Sequence, residues 1–227
     1  MLESSWHSGA LGRLTIATEA RLLAQALEGV FGPVQLQLGH WGEGLELWPA
    51  QSPRRPLLCA PQPGLDTHAI ARLSQLPLPG TCADAVLLAH ALEFSDDPLA
   101  LLREADRILM GEGTLLVLGF NPASPWGWRA AASRRGFPPG LQRVIPEWRV
   151  REWLSLLNYE LEPARLGLYT LPFGGEQRAS ASLRRGWVYP FPAGVYLLRA
   201  RKRLYGVTPL RQRLRPAMLG GALEPSS

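Results

Sequence analysis

The sequence has few of the residues that mark disulfide-stabilised, metal-binding or membrane-spanning proteins. It contains only two cysteines, Cys59 and Cys82, which are too few for a disulfide framework and have no CxxC motif or histidine cluster beside them. We interpret both as reduced core thiols and expect no metal site. The start of the chain lacks a signal peptide, and no run of about 18 apolar residues is present to span a bilayer. A cytoplasmic protein is the expectation.

Several catalytic motifs are also missing. There is no Gly-x-Ser-x-Gly, no P-loop and no zinc signature, which disfavours hydrolases, nucleotide triphosphatases and metalloenzymes. A Gly-x-Gly-x-x-Gly turn with a ribose-binding acid about 20 residues later is absent too, which disfavours a nicotinamide dehydrogenase.

Lysine is nearly absent, since Lys202 is the only one, and the charge is unevenly distributed. Residues 1–176 carry 14 basic and 18 acidic groups, whereas residues 177–227 carry 10 and 1. We predict one domain over 1–205 and a basic, disordered tail over 206–227. Such a tail is either plainly solvated or a contact for nucleic acid, an acidic protein or an anionic membrane surface. Nucleic acid is not favoured, because no motif that reads RNA or DNA accompanies the arginines.

The first half of the chain predicts a helix followed by short strands. Apolar residues at helical spacing predict an amphipathic helix with Thr18 as its N-cap and Gly32 beyond its end. The elements predicted here are a helix over Thr18–Phe31, strands over Val34–Leu38 and Pro56–Ala60, and a helical stretch near Thr67–Leu73.

The middle of the chain predicts a strand, a helix and a strand. Ala85–Ala89 and Thr114–Phe120 are apolar runs typical of strands covered on both faces. Between them, Asp97 is a cap, Pro98 begins a helix and Gly111 closes it. Its buried stripe is Leu101, Leu102, Ala105, Ile108 and Leu109, and its solvent face is Arg103, Glu104, Asp106 and Arg107. A βαβ unit has a right-handed crossover and a parallel sheet, so the fold class is α/β, doubly wound.

The last third predicts a loop region, a helix and two late strands. Residues 121–146 are rich in Trp, Pro and Gly and are interpreted as an inserted loop, and residues 146–159 as a helix. The segments 159–171 and 193–204 are interpreted as strands that form an antiparallel hairpin at a sheet edge. Two interpretations stay open for the residues Trp126, Trp128, Arg129, Trp148 and Trp153, which either line an acceptor pocket or pack in the core.

Residues Leu76–Phe120 carry a family resemblance. The "LPLP" turn, the "DAVLLAHALEF" strand end, the "DPLALLREADRIL" helix and the "GEGTL" strand resemble a class I S-adenosylmethionine-dependent methyltransferase of the type 11 group. The similarity is specific over about 45 residues, and the order of elements agrees over roughly 190. It implies a Rossmann-like, mostly parallel sheet with an antiparallel edge strand, S-adenosyl-L-methionine as cofactor, and methyl transfer by in-line displacement to an unknown acceptor.

The resemblance also implies which residues bind the cofactor. They are Gly39, His40, Trp41 and Gly42 in the turn after the first strand, Leu76 and Pro77 in the "LPLP" turn, and Ala89 and His90 at the end of a buried strand. Trp41 stands where the family's second glycine falls, and it either stacks on adenine or packs beneath the loop. The family's acids are replaced by Gln37 on the first strand and by Arg72, and the second strand ends with no acid. Losing two charged hydrogen bonds to the cofactor weakens cofactor binding by about 10²–10⁴-fold.

His90 and Glu93 are the candidate catalytic residues. The resemblance places His90 at the methionine end of the cofactor, with Glu93 one helical turn later to orient His90 or the acceptor. A base is needed only where the acceptor must lose a proton. The alternative is a structural histidine bonded to a backbone carbonyl. Phe94 replaces the family's second histidine, which disfavours a paired-histidine mechanism.

Two functions therefore stay open. The first is an S-adenosylmethionine-dependent methyltransferase. The second is a methyltransferase-like binding module that has lost catalysis and uses its basic tail to hold a partner.

Overall fold

The structure is a computed structural model that describes residues 6–50, 55–134, 136–172 and 191–203. The predicted basic tail at 206–227 lies outside these residues. The helices are α1 (Ala10–Ala26), α2 (Ala91–Phe94), α3 (Pro98–Ile108), α4 (Pro125–Ala132) and α5 (Glu147–Leu156). The strands are β1 (Gln35–Leu38), β2 (Leu57–Ala60), β3 (Thr67–Ile70), β4 (Ala83–Ala89), β5 (Leu109–Phe120), β6 (Tyr159–Leu161), β7 (Arg165–Gly167) and β8 (Val195–Lys202).

All eight strands form one sheet in the order β3-β2-β1-β4-β5-β8-β6, with β7 also paired to β8. Strands β1 to β5 run parallel, and β8 runs antiparallel to β5 and to both short strands at the far edge. Strand β4 lies in the middle and is almost entirely apolar, as a strand covered on both faces must be. The predicted α/β, mostly parallel sheet with antiparallel edge strands is confirmed.

An apolar core lies on each face of the sheet. One core joins α3 and α5 to alternate residues of β4 and β5, such as Val86 and Leu115. The other joins α1 and α4 to the intervening residues, such as Leu87 and Leu116. The alternation follows from the period of two along a strand, which sends successive side chains to opposite faces. Among the described helices none is long and apolar enough to cross a membrane.

Helix α1 begins eight residues earlier than predicted. Thr18 is therefore not an N-cap, because it lies inside the helix and its hydroxyl donates to the carbonyl of Leu14 at 2.8 Å. Threonine satisfies its hydroxyl in this way within a helix, so a capping residue type does not fix a helix start. The helix ends at Ala26, short of the predicted Phe31.

The helical stretch predicted near Thr67–Leu73 is wrong. Residues Thr67–Ile70 form the edge strand β3, whose burial alternates and which pairs in parallel with β2. The alternation of half-buried and exposed residues is the signature of a strand, and pairing to β2 outweighs the weak helical pattern of this short segment.

The predicted helix over 98–108 is confirmed, with two differences at its ends and surface. Asp97 accepts a hydrogen bond from the backbone of Ala100, and Pro98 begins the helix. Gly111 does not close it, because β5 starts at Leu109 with a register shift against β4. Glu104 does not face water: it is largely buried and bonded to Arg107, which neutralises its charge.

The late part of the chain contains more regular structure than predicted. Helix α4 lies inside the region 121–146, capped by the Ser124 hydroxyl, which accepts a hydrogen bond from Gly127. The predicted strand over 159–171 is divided into β6 and β7. Pro163 lies between these two strands and has no N–H to offer a sheet.

Candidate functional site

The carboxyl ends of β1, β4 and β5 meet at one edge of the sheet. Leu38 pairs with Leu88, and Leu88 pairs with Val117, so the residues that follow these strands are neighbours. The chain leaves β1 toward β2 and β3 and then returns to β4 on the other side of β1. In doubly wound sheets such a switch in strand order forms a crevice at the carboxyl ends, where ligands bind. We call this place the β1/β4 crevice.

The turn after β1 is built on glycines. Gly39 has φ +89°, and its N–H donates to the carbonyl of Cys59 at 2.9 Å. A Cβ at Gly39 would stand 3.2 Å from the Cβ of Ala91, so the turn passes close to α2. A Cβ at Gly42, with φ +78°, would stand 2.9 Å from Ile16 Cδ1. Both positions need glycine, one for its approach to α2 and the other for its approach to α1.

His40 points away from the other histidine of the crevice. Its Nε2 lies 3.0 Å from the carbonyl of Gln62 and 3.2 Å from the hydroxyl of Thr67. The imidazole thus fixes the turn after β1 to the connection between β2 and β3.

Trp41 is buried in the crevice, with 1% of its surface exposed. Its ring centroid lies 4.1 Å from that of His90 and 5.8 Å from that of Phe120. On its other side it contacts Trp6 and His7, at 5.7 and 4.8 Å. Trp41 follows β1 and His90 follows β4, so this ring pair bridges the two strands that border the crevice. In the structure the indole packs among these rings, and a contact between Trp41 and a cofactor stays a prediction.

Glu19 of α1 enters the same cluster, and sequence reasoning missed it. Its carboxylate is fully buried and accepts hydrogen bonds from Trp41 Nε1 at 2.5 Å and from His90 Nε2 at 2.8 Å. The available signal was its position on the apolar face of the helix, three and four residues from buried neighbours at 15, 16, 22 and 23. A carboxylate on that face needs partners, since buried charges are paired.

His90 lies between two carboxylates. Its Nδ1 is 2.7 Å from Glu93 Oε2, and its backbone adopts a left-handed conformation with φ +54° at the start of α2. Burial lowers the pKa of the imidazole, but the charge and hydrogen bond of Glu19, followed by those of Glu93, outweigh it and raise the pKa to about 9. His90 is therefore an imidazolium at neutral pH that donates both N–H groups. Among the described residues its side chain bonds to two carboxylates, whereas the structural alternative expected a backbone carbonyl as its partner.

Glu93 connects the crevice to two further segments. Its carboxylate accepts hydrogen bonds from the backbone N–H of Phe120 at 3.1 Å and of Ile145 at 3.3 Å. Burial raises the pKa of Glu93, while the hydrogen bond and charge of His90 oppose that rise. Glu19, His90 and Glu93 thus form a buried network in which each charged group has a charged partner.

The turn at Leu76 and Pro77 is held by α3. Leu76 is buried and donates its N–H to Glu104 Oε1 at 2.7 Å, whereas Pro77 is exposed. Arg107 donates to the carbonyls of Leu76 at 3.3 Å and Leu78 at 2.9 Å. The hydrogen bond from Arg107 is also the main reason that the pKa of Glu104 is lowered. Leu76 belongs to the same apolar cluster as Leu38 and Ala91, which border the crevice.

The tryptophans proposed as acceptor contacts are dispersed. Trp126 is buried, donates to the carbonyl of Thr170 at 2.7 Å and stacks on Phe120. Trp128 and Trp148 are each 59% exposed, and Trp153 packs against the other core. Arg129 lies with its guanidinium carbon 3.8 Å from the centroid of the Phe137 ring. Of this set, only Trp126 touches a ring that contacts His90.

Gln37 stands on β1 where the resemblance implies an acid, and both ends of its side-chain amide are hydrogen-bonded. Gln37 Oε1 accepts a hydrogen bond from Trp48 Nε1 at 2.8 Å, and its Nε2 donates to the carbonyl of Gly39 at 3.2 Å. Gln37 thus supports the turn from within.

Comparison with known proteins supports the fold and matches part of the chain to a family. Residues 44–117, from the turn after β1 into β5, match the methyltransferase domain of the type 11 family. The chain is 40% identical over 99 residues to the uncharacterized protein YafS of Escherichia coli K12, covering 43% of this chain and 41% of YafS. It spans less than half the length of the curated relatives it matches.

Solved structures share the fold at low identity. A SAM-dependent methyltransferase of Thermotoga maritima, described as a possible histamine N-methyltransferase, superposes with a TM-score of 0.59 at 16% identity and covers 85% of this chain and 92% of its own. The [4+2]-cyclase SpnF has a TM-score of 0.56 at 17% identity, covering 82% and 81%. The chain therefore has the class I methyltransferase fold, and the resemblance found in the sequence is confirmed over residues 44–117, which match the type 11 methyltransferase domain.

Proposed function

We propose that this protein is an S-adenosylmethionine-dependent methyltransferase of unknown acceptor, with its site in the β1/β4 crevice. The observation that carries the proposal is that the family match covers β4 and its carboxyl end, which forms one side of the crevice. The candidate residues His90 and Glu93 lie within that span, directly after β4, whereas the Gly39 turn precedes it and borders the same crevice.

The geometry of His90 and Glu93 favours a role in holding the site in place over a role in removing a proton from the acceptor. His90 is an imidazolium whose two N–H groups are already donated, so it cannot accept a proton from an acceptor until it has lost one. Methyl transfer by in-line displacement gains much of its rate from placing the two reacting groups in contact. We therefore assign His90 and Glu93 the role of fixing the crevice, and we assign Gly39, His40, Trp41, Gly42, Leu76, Pro77 and Ala89 to its cofactor-binding wall.

A glycine pair offers a matched test of this location. In Gly39→Ala the new methyl group meets Ala91. Gly29 also has a positive φ, of +74°, but a Cβ added there meets nothing within 4 Å. Both variants pay the left-handed strain of a non-glycine residue, about 1 kcal/mol or more. Only Gly39→Ala distorts the crevice.

The assay is calorimetric titration with S-adenosylhomocysteine, followed by transfer of radiolabelled methyl groups into a cell extract. The proposal expects binding and transfer by the wild type and by Gly29→Ala, and loss of both by Gly39→Ala. Absence of binding by the wild type up to millimolar ligand would refute the proposal.

A second candidate function rests on the burial of Trp41 against His90. A binding module that has kept the fold without catalysis would have no need of an open crevice, and the fold alone does not fix an activity. Radiolabelled methyl transfer by the wild type would exclude this candidate. Binding of S-adenosylhomocysteine without any transfer would favour it.

A further inference from the structure

In the structure, two aromatic side chains fill the space between the carboxyl ends of β1 and β4. The Trp41 and His90 rings touch across the crevice with centroids 4.1 Å apart, so no group lies between them. Trp41 also closes the space above His90 with only 1% exposure. If the crevice is the cofactor site, Trp41 has to leave this position.

One hydrogen bond holds Trp41 there. Its Nε1 donates to Glu19 Oε2 at 2.5 Å, while the other oxygen of the same carboxylate is bonded to His90. A hydrogen bond to a buried carboxylate is stronger than one between neutral groups. The other ring contacts of the indole, with Trp6, His7, Phe94, Phe120 and His90, have no comparable directional preference.

We propose that the hydrogen bond between Glu19 and Trp41 is a latch that keeps the β1/β4 crevice closed, with Glu19 as the positioning residue, and that the cofactor binds only after the latch opens. This inference rests on the proposed function. It assigns to α1 a part in the site, although α1 precedes the region matched by the methyltransferase family.

The local structure allows Trp41 to leave without stranding a buried charge. When the latch opens, Glu19 keeps its bond to His90, and His90 keeps its bond to Glu93. Trp41 itself lies between Gly39 and Gly42, two residues with positive φ that can reorient more freely than other residues. The described residues 39–50 that follow β1 contain turns and no helix, so the indole is not carried on a rigid element.

Trp41→Phe tests the latch, because it removes the N–H donor and keeps an aromatic ring beside His90. Trp48→Phe is the matched control: Trp48 lies in the same connection, is also buried, and donates its Nε1 to Gln37 at 2.8 Å. The control loses an indole hydrogen bond to a neutral amide and leaves the contacts of Glu19 and His90 in place. The probe is S-adenosylhomocysteine in calorimetric titration.

When a ligand binds only to a minor open state, its apparent affinity equals the affinity of the open state multiplied by the fraction of molecules that are open. Removing the latch therefore raises the affinity of Trp41→Phe about tenfold or more over the wild type, the effect of one hydrogen bond to a charged group. Trp48→Phe is expected to bind like the wild type. As a second readout, the indole ¹H–¹⁵N resonance of Trp41, identified by its absence in Trp41→Phe, shifts when the wild type is saturated with the ligand.

The outcomes separate the latch from the proposed function. If the wild type binds but Trp41→Phe binds no more tightly, or if the Trp41 resonance stays unchanged at saturation, the latch is wrong and the function stands. If the wild type does not bind up to millimolar ligand, the proposed function itself fails, whether or not Trp41→Phe binds. Should Trp41→Phe not fold, as judged by circular dichroism, the Trp41 resonance of the wild type, assigned by its through-bond correlation to the backbone, still decides.

Discussion

The buried network of Glu19, His90 and Glu93 makes the stability of the fold depend on pH in a defined direction. The pKa of His90 is raised from 6.5 to about 9 in the folded protein. A group with a raised pKa stabilises the fold fully below its unfolded pKa and loses that contribution as pH rises through the folded pKa. One pKa unit corresponds to about 1.4 kcal/mol, so the network is expected to lose about 3 kcal/mol between pH 6.5 and pH 9 to 10.

The variant Glu19→Gln isolates this contribution. Glutamine keeps the shape of the side chain and can still bond to Trp41, but it removes the charge that does most to raise the pKa of His90. Glu93 remains as the other charged group facing His90, so the pKa falls without returning to an isolated value. We expect the free energy of unfolding of the variant to decline less steeply than that of the wild type over the same pH range.

Guanidinium unfolding followed by circular dichroism, at half-unit steps from pH 6 to pH 10, measures both curves. Other titrating groups, such as Cys59, contribute equally to the two proteins and cancel in the difference. Parallel curves for the wild type and Glu19→Gln would refute the assignment of a charged His90.

Two further predictions concern the supports of the site. Glu104→Ala removes the acceptor of the buried Leu76 N–H, so we expect about 1–3 kcal/mol of destabilisation in chemical unfolding and faster hydrogen exchange at the Leu76 amide; unchanged exchange at Leu76 would contradict this. Tyr159→Phe loses the hydrogen bond from the Tyr159 hydroxyl to Asp106 at 2.9 Å, so we expect its free energy of unfolding to fall by about 1 kcal/mol. The affinity for S-adenosylhomocysteine should stay unchanged. A change in that affinity would show that the site extends beyond the β1/β4 crevice.

The parts of the fold that the sequence predicted well are those specified by neighbouring residues. Helix α3 has its cap, its first proline and its apolar stripe within about a dozen residues, and β4 is recognisable as an apolar run. The edge strand β3 was mispredicted because four residues carry little periodic signal and its identity depends on pairing with β2.

The centre of the candidate site could be predicted only in part. The resemblance pointed to Trp41 and His90, but not to their contact, because that contact joins the ends of two strands whose spacing only the assembled sheet defines. Glu19 was missed because its partners lie 22 and 71 residues away in the chain, and an acid in an amphipathic helix is ordinarily on the solvent face.

The central claim is that the β1/β4 crevice is a cofactor site closed by Trp41. A crystal structure of the protein grown or soaked with S-adenosylhomocysteine tests it most directly. The account predicts ligand density at the carboxyl ends of β1 and β4, with the indole of Trp41 moved away from His90 and its bond to Glu19 broken. Ligand bound elsewhere while Trp41 remains on His90, or no bound ligand at millimolar concentration, would contradict it.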